Sequence, residues 1–395
     1  MNKALLHPDV QEFIRSNRKT EITRLVLSGS PYPDVSPQEL AEQISGLNTA
    51  EKKLPTWFKT GNIIYPPKLN LEQTSSEVTA EYKASLVSGT KMADLTGGFG
   101  IDSYFFSKKM DQIFYCELNK ELAELAEHNF KQLKANNIEV IKGNGLEFLK
   151  NTEGVFNWIY LDPARRDNHG GKVFRLADCT PDVAGNMDLI FEKADKILIK
   201  TSPLLDLKAG TAELKNVKEI HIVSVNNEVK ELLWLLEKAH TEAAALKTIN
   251  FRKNEIQFFE GSGAGSNEKA QYSRPGKYIY EPNPAIMKSG LFEELAVKTG
   301  TFKLHQHSHL YTSDDLKKFP GRRFKITELK NFNPKELKKY FKGLKANIST
   351  RNFPESVENL KKKFRIKDGG ELYVFFTTSL KNEKIVLICK KIKED

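Results

Sequence analysis

The stretch Lys91-Met-Ala-Asp94-Leu-Thr96-Gly97-Gly98-Phe-Gly100-Ile-Asp102 decides how the rest of this 395-residue chain is read. An apolar run closing on Asp94, a glycine-rich bend and helix-compatible residues over 101–110 describe a strand, a tight loop and a helix. Twenty positions after Gly97 comes Glu117, which closes a second apolar run, Gln112-Ile-Phe-Tyr-Cys116. These are the parts of the opening unit of a nucleotide-binding α/β sheet. The glycines let backbone approach a ligand, and a carboxylate at the second strand tip accepts from both hydroxyls of a ribose. The expected ligand contains adenosine.

Charge separates the candidate adenosine cofactors. A dinucleotide would set a pyrophosphate on the loop beside the Asp94 carboxylate, where like charges repel. Its glycine fingerprint is also absent, since counting G-x-G-x-x-G from Gly98 and Gly100 lands on Ser103. S-adenosylmethionine carries no phosphate, and its ammonium and sulfonium are positive, so an acid at the loop attracts it. The expected cofactor is therefore S-adenosylmethionine, held across Asp94, Thr96, Gly97, Gly98, Gly100, Glu117 and Leu118.

Further strand tips point to the same crevice. Leu118, Leu122, Leu125, Ala126 and Leu133 recur at helical spacing, then Asn137-Ile-Glu-Val-Ile141 reads as a strand with Gly143-Asn144-Gly145 at its tip. Asn144 has two open roles, pairing with the adenine edge or serving as a left-handed turn residue; Asn144 and Gly145 complete the strand-tip part of the expected cofactor set. A fourth strand, Phe156-Asn-Trp-Ile-Tyr-Leu161, ends in Asp162-Pro163-Ala164-Arg165-Arg166-Asp167. Ligands of a doubly wound sheet bind at the carboxyl ends of its strands, so Asp162, Pro163 and Arg165 form the expected catalytic set. Asp162 can accept from an amine or hydroxyl nucleophile, and Pro163 fixes the turn. Arg165 can stack on a base or hold a phosphate; the competing role is a structural pair of Arg165 or Arg166 with Asp167 or Asp178.

Asp94-Leu-Thr-Gly-Gly-Phe-Gly-Ile-Asp102, Asp162-Pro-Ala-Arg-Arg-Asp167 and Arg351-Asn-Phe-Pro354 together resemble bacterial class I methyltransferases that carry a small ferredoxin-like domain and a C-terminal THUMP-like domain. The resemblance runs from about Leu71 to the end, and the second and third motifs are the more specific. It implies S-adenosylmethionine binding and an RNA substrate, and leaves the methylated nucleotide open. It also implies that the polar segment Leu71-Glu-Gln73-Thr-Ser75-Ser76 leads into the cofactor site, with Gln73 and Ser75 at the methionine end; capping of the following helix by Ser75 or Ser76 is the competing role. Exocyclic-amine methyltransferases usually show an aromatic residue after Asp-Pro-Pro, where this chain has Ala164 and Arg165. The Asp-Pro-x-Arg pattern is also similar to that of 5-methyluridine-forming enzymes, but the loop Lys200-Thr-Ser202-Pro203 lacks the cysteine nucleophile they need.

The whole chain agrees with that class. Hydrophobic residues make up 39%, enough for two or three cores. The expected architecture is a Rossmann-like, seven-stranded class I methyltransferase sheet with an N-terminal helical lobe and C-terminal α+β modules. Its divisions are a helical lobe over 1–70, the catalytic domain over 71–275, a ferredoxin-like module over 276–321 and a basic THUMP-like module over 322–395. Further strands are expected over 196–199, 218–224 and 255–259, a helix over 228–239, a loop over 261–266 and a strand over 302–310.

Three cysteines, Cys116, Cys179 and Cys389, lie far apart with no Cys-x-x-Cys pair, so neither a disulfide framework nor structural zinc is expected. No signal-peptide core opens the chain and no membrane-length apolar run occurs, so a cytoplasmic location is expected. His305, His307 and His309 would share one face of the strand over 302–310, but no Cys or acidic cluster joins them, and no metal is expected.

The net charge of +10 is unevenly placed: residues 301–395 hold 23 Lys and Arg against 11 Asp and Glu, while the residues before them hold 38 against 40. Clustered cations bind polyanions by releasing counterions, so RNA is the expected partner, held by residues 322–395; no obligate protein partner can be inferred. Lys361-Lys-Lys-Phe-Arg365 is the densest basic run, and Phe364 is expected to face the core. Two other functions use the same features: a protein or small-molecule methyltransferase with this cofactor site, and a non-catalytic RNA-binding protein that keeps only the pocket.

Overall fold

The computed structural model describes residues 1–165, 175–262 and 267–392. Arg166 and Asp167, and most of the glycine-rich loop over 261–266, lie outside the described residues. The chain divides into two compact units, Met1–Lys218 with Leu232–Glu242, and Glu219–Glu231 with Ala243–Asp395. Among the described residues no helix is long and apolar enough to cross a membrane.

The first unit opens with helices. Helix Pro37–Lys53 starts at a reciprocal cap: Glu39 N–H donates to Ser36 Oγ at 3.2 Å, and Ser36 N–H donates to the Glu39 carboxylate at 2.8 Å. Leu40, Ile44 and Leu47, spaced at a helical period, are buried along it. Ser76, not Ser75, caps helix Glu77–Ser85, accepting from Thr79 N–H at 3.3 Å.

The strands that follow are β1 (Gly89–Asp94), β2 (Met110–Glu117), β3 (Ile138–Lys142), β4 (Phe156–Leu161), β5 (Ala164–Arg165), β6 (Cys179–Thr180), β7 (Ala194–Thr201), β8 (Val217–Val225), β9 (Glu228–Glu237), β10 (Ala245–Arg252) and β11 (Glu255–Gly261). In the first unit the order is β3-β2-β1-β4-β7-β9, a Rossmann-like sheet with every neighbour parallel except β7 and β9. Register sets the tips side by side, since Asp94 lies opposite both Tyr115 and Tyr160, and Leu161 opposite Ile199.

The expected helix over 228–239 is instead strand β9. Residues 231–236 are buried without a break, which a strand covered on both faces achieves and an amphipathic helix does not. Asn226 and Asn227, both with positive φ (51° and 63°), make the tight turn that sends the chain back after β8.

In the second unit β8 runs parallel to β10 and β10 antiparallel to β11. A separate sheet is built from β12 (Tyr278–Pro282), β13 (Phe302–Lys303), β14 (Tyr311–Ser313), β15 (Gly321–Asn331), β16 (Lys345–Arg351), β17 (Lys367–Thr378) and β18 (Lys384–Lys391), in the order β13-β14-β12-β15-β18-β17-β16. Helices Pro334–Tyr340 and Val357–Phe364 cover part of it, with Leu337, Leu360 and Phe364 packed on Val374 and Phe376.

The expected strand over 302–310 ends at Lys303. Leu304 N–H donates to Leu310 O at 3.0 Å, closing a loop in which His309 has φ 50°. The three histidines therefore share no strand face. His305 bonds Asn382 at 3.0 Å, and His309 stacks on Phe292 with centroids 3.8 Å apart.

Candidate active site

The loop after β1 is held by backbone geometry that only glycine permits. A Cβ on Gly97 would sit 2.1 Å from the Tyr115 ring, and Gly97 N–H donates to Cys116 O at 2.8 Å, so the loop lies flat on β2. Gly100, with φ 83°, starts helix Ile101–Phe106 in the left-handed region.

Asp94 is buried at the tip of β1, accepting from Thr96 N–H at 3.0 Å and Ser103 Oγ at 2.5 Å. Burial pushes its carboxyl up to about 7; the Ser103 and Thr96 hydrogen bonds pull the other way, and the nearby acids Asp102 and Asp162 add to the rise. A positive ligand beside this carboxyl would favour its ionised form.

Glu117 stands at the tip of β2 and ties the two strands together. One carboxylate oxygen accepts from Gly98 N–H at 2.8 Å and the other from Asn119 N–H at 2.7 Å. A carboxylate has about four acceptor sites, so two remain for ribose hydroxyls. Leu118, beside it, is 68% exposed, an apolar surface at a polar strand end that an adenine ring would cover.

Asn144 is not a left-handed turn residue. Its φ of −72° makes it the cap of helix Gly145–Asn151, with Oδ1 accepting from Leu146 N–H at 2.9 Å. The cap occupies Oδ1 and leaves the amide N–H as the group to offer a ring nitrogen. Gly143 N–H donates to Glu117 O at 3.0 Å, which brings this tip beside β2; Gly145 is buried against Leu95, where a Cβ would meet Leu95 O at 2.5 Å.

At the β4 tip, Asp162 N–H donates to Thr96 Oγ1 at 2.6 Å, and Lys200 Nζ on β7 donates to Asp162 Oδ2. Pro163 is buried. Arg165 pairs through its backbone with Cys179 of β6, and its side chain lies outside the described residues. Lys200 was invisible to motif reading, yet it occupies the same kind of position as Asp162, the end of a parallel strand in the adjacent register.

Ser75 and Gln73 part company. Gln73 is exposed at the end of helix Lys68–Gln73, whereas Ser75 is buried, donating to Asp102 Oδ2 at 2.9 Å and accepting from Lys83 Nζ at 3.0 Å. Tyr160 donates to the same Asp102 oxygen at 2.8 Å, and Lys83 lies 3.3 Å from Asp102 Oδ1. Lys83, fully buried, and Asp102 were not among the expected site residues, although Asp102 closes the opening motif. All three cysteines are buried, and burial raises the thiols of Cys116 and Cys389, which keeps both from acting as thiolates.

The site thus offers an acid near neutrality, a carboxylate with spare acceptors, an exposed leucine and an amide donor along three adjoining strand tips, a set of groups that fits the cation, ribose and adenine of S-adenosylmethionine. Comparison with known proteins gives the same reading. Residues 321–391 match the family model of the THUMP domain-like fold, and residues 278–320 match a ferredoxin-like domain model. A crystal structure of a presumed methyltransferase from Porphyromonas gingivalis is 32% identical, with a TM-score of 0.88 and 99% of each chain covered. An uncharacterized S-adenosylmethionine-dependent methyltransferase of Mycobacterium tuberculosis, found in two strains, is 23% identical over 313 residues, 78% of this chain and 82% of the relative.

Proposed function

Because the chain belongs to the bacterial class I S-adenosylmethionine-dependent methyltransferases that carry ferredoxin-like and THUMP-like domains, we propose that its methyl acceptor is RNA and that Asp162 receives the acceptor's proton or hydrogen bond. The cofactor supplies a methyl group on a sulfonium, displaced in line by the incoming nucleophile. In this reading Glu117 accepts from the ribose hydroxyls, Leu118 and the Asn144 amide hold the adenine, and Asp94 faces the positive methionine end. Thr96 links the two halves, since it bonds both Asp94 and the Asp162 backbone. The Lys200 ammonium fixes the direction of the Asp162 carboxylate, so that its second oxygen, Oδ1, is left to meet a nucleophile.

The observation that carries the RNA assignment is the charge asymmetry, 23 cationic against 11 anionic side chains over 301–395, in the part of the chain that matches a THUMP-like model. Methyl transfer from labelled S-adenosylmethionine to total RNA tests it, followed by mass mapping of modified nucleosides in RNA from a deletion strain. A missing modified nucleoside that the purified protein restores is the expected result. Turnover on protein or metabolite extracts, with none on RNA, overturns the assignment.

A further inference from the structure

A groove in the second unit, with a volume of 1330 Å³, contains none of the strand-tip residues described above. It exceeds the roughly 300–1,000 Å³ of small-molecule sites, which suits a polymer. One wall is β11, which among the described residues is an edge strand paired only with β10. On that strand Gln257 and Phe259 are buried, while the alternating Ile256 and Phe258 are 64% and 54% exposed. Exposed apolar residues on a sheet edge are an aggregation hazard unless something covers them.

The rest of the lining is rich in cations. The start of β15, the end of β18 and the first part of β17 meet at one end of their sheet, since Phe324 pairs with Lys391 and Leu372 with Lys390. Arg323, Lys390 and Lys391 line the groove from there, with Lys318 beside them. Among the described residues none of these four forms an ion pair. Three acidic residues also line the groove, Glu255, which pairs with Arg252 at 3.5 Å, and Glu260 and Glu371, against five cations, Lys298, Lys318, Arg323, Lys390 and Lys391. The densest basic run of the sequence is different, because Lys361 pairs with Asp368 at 2.6 Å and Lys363 with Glu355 at 2.8 Å.

We propose that this groove binds single-stranded RNA, with a base stacked on Phe258 and phosphates held by Lys318, Arg323, Lys390 and Lys391. A protein partner would cover Ile256 and Phe258 equally well, but it gives no reason for cations without ion pairs in the same groove as an exposed ring; aromatic platforms beside a basic track are how single strands are held. β11 lies outside both spans that match the ferredoxin-like and THUMP-like models, so the site is not a property of either module alone. This inference rests on the RNA reading above.

The test measures binding of a short unstructured RNA to the full-length chain over a range of salt. Replacing Lys318, Lys390 and Lys391 by Glu is expected to weaken binding more than about tenfold and to flatten the log-salt slope by about two, at ~0.7 for each phosphate no longer neutralised. Phe258→Ala is expected to weaken it roughly five- to a hundredfold with the slope unchanged. The pair Lys361→Glu and Lys363→Glu serves as the control, with affinity within about threefold, and S-adenosylmethionine titration verifies that every variant is folded. Wild-type affinity in the groove variants, or an equal loss in the control pair, overturns the groove while leaving the RNA reading intact. A wild-type chain that binds no RNA overturns both.

Discussion

Asp162 and Lys200 meet as an ion pair across the carboxyl tips of β4 and β7, adjacent parallel strands whose register is fixed by Leu161 opposite Ile199. Lys200 is 13% exposed and Asp162 35%, so the cation is the anchored partner and the carboxylate the one that faces outward. The pair therefore aims an acceptor, which is the demand that methyl transfer makes on a protein.

Asp162→Ala is expected to lower the transfer rate by about a hundredfold or more, with only a modest loss of cofactor affinity, the size expected for a positioned proton acceptor. Lys200→Met should cost about tenfold in rate with cofactor affinity unchanged, and Lys200→Arg should recover part of it. Single-turnover kinetics with separate cofactor titration make the distinction. Equal losses of rate and affinity in Asp162→Ala would make it a structural residue.

Asp94 gives a pH dependence whose sign follows from its raised pKa. Its carboxyl titrates near 7 in the folded chain against 3.8 for the ordinary group, chiefly because it is buried. The folded state then holds a proton that the unfolded state has lost, so this group's stabilisation is full below about 3.8 and disappears as pH rises through about 7. The ligand-free protein is expected to lose thermal stability between about pH 4 and pH 7, with little further change above, and Asp94→Asn should reduce that loss. A cationic cofactor favours the ionised form, so S-adenosylmethionine affinity should move the other way, rising as pH approaches 8. Calorimetry across this range checks both directions, and a flat affinity in the wild type would separate Asp94 from the cofactor.

Glu117→Ala is expected to weaken cofactor binding by about 1 to 3 kcal/mol through lost charge-assisted hydrogen bonds. It also frees the Gly98 and Asn119 N–H groups, so part of the loss would come from the loop itself. Glu117→Gln keeps one acceptor for the loop and should lose less affinity and less thermal stability than the alanine variant. Unchanged affinity in both would remove Glu117 from the site.

The strand tips were legible because each apolar run stops at a polar or glycine residue, and Asp94, Glu117, Asn144 and Asp162 all stand at such stops. The misreadings occur where local pattern is ambiguous. Leu232-Leu-Trp-Leu-Leu236 satisfies helical and buried-strand spacing alike, and only the Asn226-Asn227 turn and burial on both faces select the strand. The alternation of His305, His307 and His309 imitates a strand, whereas the Leu304 to Leu310 hydrogen bond that closes a loop there depends on packing. Lys200 belongs to no motif; its position is a consequence of sheet register. Likewise the Lys361 run is prominent in sequence, and the pairing of two of its four cations, Lys361 with Asp368 and Lys363 with Glu355, appears only in three dimensions.

Lys83 and Asp102, the residue that closes the glycine-rich motif, form a buried pair at 3.3 Å. Lys83→Met would leave the Asp102 carboxylate buried without its cation, and a loss of about 3–5 kcal/mol is expected in denaturant unfolding. Asp102 still accepts from Ser75 and Tyr160, so a second substitution, Asp102→Asn, placed on the Lys83→Met background, should restore part of the stability by removing the stranded charge. Additive losses in the double variant would show that the two groups do not act as a pair.

Removing residues 322–395 is the direct way to ask what the basic end does, but β12 and β15 pair from Tyr278 opposite Lys325 to Pro282 opposite Gly321. The same cut strips Ile279, Leu304 and Leu310 of the core they share with Phe324, Phe375, Leu387 and Cys389. The truncated chain is therefore expected to expose a sheet edge and an apolar face, and to aggregate. Its cofactor affinity should stay within about threefold of the full chain, because Asp94, Glu117, Asn144 and Asp162 all belong to Met1–Lys218 of the first unit and the cut falls in the second. RNA binding should fall, and its salt dependence should shrink in proportion to the number of phosphates no longer held. Light scattering, cofactor titration and RNA titration on one preparation separate these effects. A truncated chain that stays monodisperse and binds RNA with the full-length salt slope would show that residues 278–320 fold without their neighbours and that the basic end is a solvated surface.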